Sequence, residues 1–176
     1  MSKIKKMLLL IGILLFALLL LLLSIKLFYY PVKLSDTDKT DIIEQLNIMN
    51  SGEDYMTSCH LSFRGMDRSI EPTRIYVFYT ANVYTLDDNG TVRFDHDEST
   101  EMCIQAQRSG SKLIVKSVDT PKDNEEYGKS RKEMFPILIR ITMGGRSAYR
   151  FRDSDLDLAK DYFNTHKNAQ TLKTYK

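Results

Sequence analysis

The chain has 176 residues, with 25 Lys and Arg against 23 Asp and Glu for a net charge of +2, two Cys and no Trp. That length supports one domain rather than two, and near-balanced charge excludes a dedicated nucleic-acid binder, whose basic excess must neutralise many phosphates. Two cysteines are too few for a disulfide-dense scaffold or a four-cysteine zinc site. Mean hydropathy is −0.30 despite a long apolar run near the N-terminus, so the remainder is markedly polar.

That run is Met7–Ile25, nineteen residues without a charge, fifteen of them Leu, Ile or Phe. As a helix it spans about 28 Å, close to the hydrocarbon thickness of a bilayer. At about −0.5 kcal/mol per large apolar residue, insertion is favoured by at most about 7 kcal/mol. A cleaved signal peptide has a shorter apolar core ending at a small-x-small pair; here the run ends in Leu23-Ser24-Ile25-Lys26, and no Cys follows for lipoprotein processing. Phe28, Tyr29 and Tyr30 stand where an interfacial belt is expected, and Pro31 stops the helix. Lys3, Lys5 and Lys6 precede the run, a bias that keeps the N-terminus cytoplasmic and sends the remainder outside. The expected organisation is a cytoplasmic tail at 1–6, a transmembrane signal-anchor helix at 7–28, a stalk at 29–35, an extracytoplasmic domain at 36–169 and a frayed tail at 170–176.

Within the domain, Ile42, Ile43, Leu46 and Met49 repeat at helical spacing after Ser35 or Asp36, predicting a helix over 36–50 that stops at Ser51-Gly52. A strand follows near 55–64. Residues 73–86 carry the densest run of β-branched and aromatic residues, with Ile75, Val77, Tyr79, Ala81 and Val83 on one face and Tyr76, Phe78, Tyr84 and Leu86 on the other. Both faces are apolar, which predicts a central strand covered on each side. Asp87-Asp88-Asn89-Gly90 is a hairpin turn; the glycosylation-like Asn89-Gly90-Thr91 is read as part of it. A partner strand runs from Thr91 to Gln107, interrupted at the polar Asp95–Thr100. Ser109-Gly110-Ser111 turns into Lys112–Val118, where Leu113, Val115 and Val118 face inward, and Pro121 ends the sheet. A short helix at 123–135 carries Tyr127, Met134 and Phe135, and an apolar stretch at 137–143 breaks at Gly144-Gly145. Asp153 or Ser154 caps a last helix to about Lys167, with Leu156, Leu158, Ala159, Tyr162 and Phe163 inward. The pattern is α+β: an N-terminal transmembrane helix, then a curved antiparallel sheet packed with helices on its concave side.

The block IVKSVDTPKDNEEYGKSRKEMFPILIR (114–140), between an Asn-Gly hairpin and LAKDYFN (158–164), resembles an uncharacterised bacterial module. It is found in small membrane-anchored proteins and behind the membrane helices of some BlaR-type peptidase-like proteins, mainly in Gram-positive bacteria. The residues matching its pattern are Thr120, Pro121, Lys122, Asp123, Tyr127, Phe135 and Pro136; Lys122 stands where Arg is usual, and Asn124-Glu125-Glu126 where Gly-Ser-Tyr is common. The likeness spans roughly residues 70–165. It implies an NTF2-like or cystatin-like fold and a cell-surface address, and brings no activity, cofactor or catalytic residue.

Chemistry-bearing residues are scattered. Asp95, His96, Asp97, Glu98 and Glu101 form the densest ionisable cluster. Strict strand alternation puts Asp95 and Asp97 on one face and His96 and Glu98 on the other, too few same-side oxygens for Ca²⁺, so the cluster reads as a solvated hairpin end. His60, His96 and His166 make no HExxH pair, and neither Ser62 nor Ser109 sits in a nucleophile elbow. Gly144-Gly145-Arg146, with Arg150 and Arg152 nearby, lacks the P-loop pattern and reads as a turn with exposed arginines. Residues 137–176 hold eight basic against four acidic residues, a solvated basic face or a contact for anionic polymer or headgroups. Cys59 and Cys103 fall in predicted strands. A disulfide between them would close a loop worth roughly 4 kcal/mol, while two free thiols would pack as small hydrophobes.

These features predict a single-pass membrane protein presenting a non-catalytic binding or regulatory domain, with Tyr76, Phe78 and Tyr84 near a pocket between sheet and helices. No cofactor, metal or nucleic acid is expected. The expected partners are the membrane and a small ligand or another membrane or cell-surface protein. Two alternatives from other classes stay open: an enzyme using the Asp95–Glu101 cluster with His60 or His96, and a structural subunit of a membrane complex.

Overall fold

The computed structural model describes residues 3–143 and 153–174. Helix α1, Lys3–Tyr29, contains an 18-residue window, Met7–Ser24, of mean hydropathy 3.1, none of it buried against the rest of the protein. By length and composition it can cross a membrane, a profile that anchors and signal sequences share. The α+β remainder follows in the order α2 (Asp36–Asn50), β1 (Tyr55–Asp67), β2 (Thr73–Leu86), β3 (Val92–Ser109), β4 (Lys112–Asp119), a 3₁₀ turn at Asn124–Glu126, α3 (Tyr127–Met134), α4 (Ile137–Met143) and α5 (Asp153–Thr174).

The strands form one open antiparallel sheet in the order β1-β2-β3-β4, which makes β2 an interior strand. The turn between β2 and β3 follows from its chemistry. Gly90 takes a φ of 76°, and the Asp87 carboxylate accepts from the N–H groups of Asn89 (2.9 Å) and Thr91 (2.8 Å). β3 is continuous through the polar stretch expected to interrupt it, because β2 lies opposite and supplies ladder partners for His96 to Thr100.

Helices cover both faces of the sheet, where the sequence pattern gathered them on one. Ile42 and Leu46 of α2 pack on Ile75, Val77, Tyr79 and Ala81 together with Cys59, Met102 and Ile104. On the opposite face Tyr76 and Cys103 meet Phe135, Ile139 and Met143, and Tyr84 and Met56 meet Ala159 and Phe163 of α5. A strand that is apolar on both sides needs two covers.

Ser35 caps α2 reciprocally: its hydroxyl accepts from the Asp38 N–H (3.0 Å), and the Asp38 carboxylate accepts from the Ser35 N–H (3.1 Å). Arg108 of β3 donates to both Asp38 oxygens at 2.8 and 2.9 Å, tying the start of the helix to the sheet. α5 buries Asp155, Ala159 and Phe163 at a spacing of four, while Leu158, expected inward, is half exposed. Its backbone continues to Thr174, past the expected end near Lys167.

The chain leaving α1 is seated on the sheet. The Tyr30 ring meets Tyr76 edge-on at 6.3 Å, and Tyr76 meets Phe135 at 5.8 Å. A bulge at Arg64 brings Gly65 opposite Tyr76. A Cβ at residue 65 would collide with Ile139 Cδ1 and lie 3.2 Å from the Tyr30 Cβ, so a glycine here lets both pack down.

Candidate functional site

α2 has 15 residues and β2 has 14. At about 1.5 Å per residue the helix is roughly 22 Å long, while the strand reaches about 46 Å. The helix therefore runs out before the strand does. Beyond Asn50, the α2 face of β2 and β3 lies open as a groove of about 720 Å³. Tyr79, Val83 and Met102 form its floor, Met49 and Tyr55 its apolar wall, and Asp95, His96 and Glu98 its polar side.

These polar groups are ordered by one another. The Tyr79 hydroxyl donates to Glu98 Oε1 at 2.9 Å and accepts from the Asn50 amide at 3.3 Å. Burial, reinforced by Glu98, pushes the Tyr79 phenol far above its ordinary range, so it stays a donor. His96 Nδ1 lies 2.9 Å from Asp95 Oδ2, both side chains about half exposed. No Lys or Arg lines the groove among the described residues, so its fixed charge is negative.

The bulge in β3 explains why Asp95 is present. Val83 faces His96 while Tyr84 faces Phe94, leaving Asp95 without a cross-strand partner. Strict alternation, which paired Asp95 with Asp97, fails there, and Asp95 joins the groove. Asp97 and Glu101 remain on the other face. Glu101, expected in a solvated cluster, is 7% exposed and accepts two bonds from Arg131 of α3 and one from the Tyr127 hydroxyl at 3.4 Å. Among the described residues no three His, Cys, Asp or Glu side chains gather to hold a metal.

The three aromatics expected at a pocket stand on the opposite face from the groove. Tyr76 and Tyr84 are core residues, 1% and 0% exposed, and burial pushes both phenols up to about 12. Phe78 is partly buried on that same face, opposite Ser62 and Glu101. His60 lies under α5 with its Nε2 3.6 Å from Asp155, which also accepts from Ser58 and Asn82, each at 3.3 Å.

Cys59 and Cys103 are both free and buried, and their thiols are pushed up by burial to about 12 and about 11. They face opposite sides of the sheet on strands separated by β2, beyond disulfide reach. Gly144, Gly145, Arg146, Arg150 and Arg152 lie outside the described residues, as does the side chain of His166.

Sequence inspection passed over Tyr55 and Tyr79 as groove residues. The available signal was the length mismatch between the 36–50 helix and the 73–86 strand, which leaves part of one sheet face uncovered. Compared with known proteins, the chain matches no family model, no curated protein and no solved structure.

Proposed function

We propose that this chain is a single-pass membrane protein whose α+β domain stands outside the cytoplasm as a non-catalytic binding module, with the groove beyond α2 receiving the ligand. One observation carries the proposal: at the same level the opposite face of the sheet is filled by α5, while this face is left open over aromatic and polar side chains. The apolar α1 and the lysines before it support the address. The likeness of 114–140 to membrane-anchored NTF2-like modules supports a fold of that kind, an open antiparallel sheet with a helix along one face and a pocket at its end. An enzyme is the second proposal, favoured by His96, Asp95 and Glu98 sharing one groove.

The test uses the full chain. In intact, wall-stripped cells, added protease removes the domain and leaves α1 in the membrane; a soluble form shortened by the apolar run would refute the anchor. In lipid nanodiscs, compounds that raise the unfolding midpoint lose their effect when Met49→Arg blocks the groove wall. Stabilisation indifferent to that change would refute the groove as the site. Turnover of a bound compound, abolished by His96→Ala, would replace the binding module with the enzyme.

A further inference from the structure

Side chains on and just after α2 occupy outward backbone groups of both edge strands. On β1 the Ser51 hydroxyl accepts from the Thr57 N–H and the Asn47 carbonyl from the Cys59 N–H, each at 2.8 Å. On β4 the Gln45 amide donates to the Leu113 carbonyl at 2.8 Å and accepts from the Val115 N–H at 3.0 Å. Another stretch of edge has, among the described residues, no strand beside it. β4 pairs with Cys103–Ser109 only, because Pro121, just past its end, has no N–H to extend the ladder. Along Val92–Met102, β3 is paired to β2 on one side and, among the described residues, to no strand on the other. Ladder bonds alternate along an antiparallel strand. With the N–H groups of Thr57 and Cys59 directed outward from β1, the register turns the backbones of Asp97 and Ser99 outward from β3.

We propose that this open edge takes an extended, Lys- and Arg-rich segment of a partner polypeptide as a fifth strand. The inference rests on the groove being a binding site and names what enters it. Thr120, which leaves β4 at this edge, also lines the groove, so the groove continues past β3 to the place where an added strand would lie. Alternate side chains of that strand face the groove, where Met49 and Met102 take aliphatic stems and Glu98 lies within the reach of a cationic head.

Charge selects the partner. Asp95, Asp97 and Glu98 are exposed along the edge, against Arg93 and a half-exposed His96. Antiparallel pairing with a second copy would set these carboxylates against themselves, and like charges directly opposite are destabilising. Such charges, with a bulge at Asp95, are also the devices that keep an open edge from pairing indiscriminately. They repel a like edge and admit a basic strand, so one set of residues gives both protection and specificity.

The experiment measures binding of a fluorescein-labelled peptide of alternating lysine and valine to the full chain in nanodiscs of zwitterionic lipid. The expected result is binding that weakens about tenfold or more when the peptide is N-methylated along its backbone, and likewise when glutamate replaces lysine. Ser99→Pro removes one outward N–H without touching the bonds to β2, and weakens binding to a similar extent. Asp97→Lys combined with Glu98→Lys inverts the charge of the edge and releases the Tyr79 hydroxyl from Glu98, leaving it the Asn50 amide, and reverses the preference to the glutamate peptide. Binding that survives N-methylation and Ser99→Pro but is lost with Met49→Arg would overturn strand addition and leave the groove standing. Absence of peptide binding would overturn it too, and the groove itself falls only if Met49→Arg is also without effect on every stabilising compound. Reversible dimerisation of the chain, abolished by Ser99→Pro, would show a second copy as the occupant and refute the basic partner.

Discussion

Replacing Arg131 by Met leaves the Glu101 carboxylate with, among the described residues, the Tyr127 hydroxyl as its side-chain partner. The Glu101 side chain is 8% exposed and that of Arg131 24%; the guanidinium donates through Nε to Oε2 and through Nη2 to Oε1 at 2.7 Å. These bonds raise the Arg131 pKa, so the guanidinium remains charged. Removing one partner of a fully buried pair costs about 3–5 kcal/mol. Partial exposure of the arginine and the 3.4 Å contact from Tyr127 lower that figure, and Arg131→Met should cost about 2–3 kcal/mol. Replacing Glu101 by Leu as well removes both charges and their desolvation, so the double variant should recover most of the loss. With no Trp in the chain, urea unfolding of the detergent-solubilised protein is followed by near-ultraviolet tyrosine circular dichroism. An Arg131→Met variant within about 0.5 kcal/mol of wild type, or a double variant less stable than the single, would refute the assignment of this pair as a strut between α3 and the sheet.

Cys59 and Cys103, with thiols held high by burial, should resist an alkylating reagent at mildly alkaline pH in the folded protein and react fully in denaturant, as intact mass reports. Burial opposes the charge on Asp38, but hydrogen bonds from Arg108 and Ser35 outweigh it and hold the carboxyl below its ordinary range. Its stabilisation is therefore present above the unfolded carboxylate pKa and lost as pH falls through the folded one. Asp38→Asn should flatten the fall in unfolding midpoint on the acid side, below about pH 4. Gly65→Val should cost about 1–3 kcal/mol by overpacking against Ile139 and Tyr30, and should speed protease cleavage in the stalk at 30–35.

The parts of the fold that are legible in the sequence are those set by near neighbours. Ser35 and Ser51-Gly52 bracket α2 because capping and helix termination act within a turn, and Asp87–Gly90 makes its hairpin from its own side chains and a positive φ. Distant partners are not legible. Asp155 meets Ser58 across 97 residues of sequence and Glu101 meets Arg131 across 30, so an acidic residue that reads as solvated becomes a buried strut. The candidate site shows the same division. Two apolar faces on β2 say that both are covered, but the face left open is decided by where α2 stops. One extra residue at Asp95 then reverses the alternation on which the carboxylate cluster was sorted.

Tyr30 follows directly on α1 and is packed against Tyr76, so the domain does not hang from a loose leash. With α1 in a bilayer, Val83 on the groove floor stands seven residues further along β2, at most about 23 Å from the Tyr76 level. A flexibly tethered domain tumbles, and each encounter bears the entropy of fixing its heading. Here height and heading are set before any partner arrives. On the proposed anchor and binding groove, diffusion in the plane would then bring the groove past neighbouring surface proteins in one orientation, so that molecules whose exposed segments lie within a narrow layer above the lipid would be met repeatedly and the rest scarcely at all.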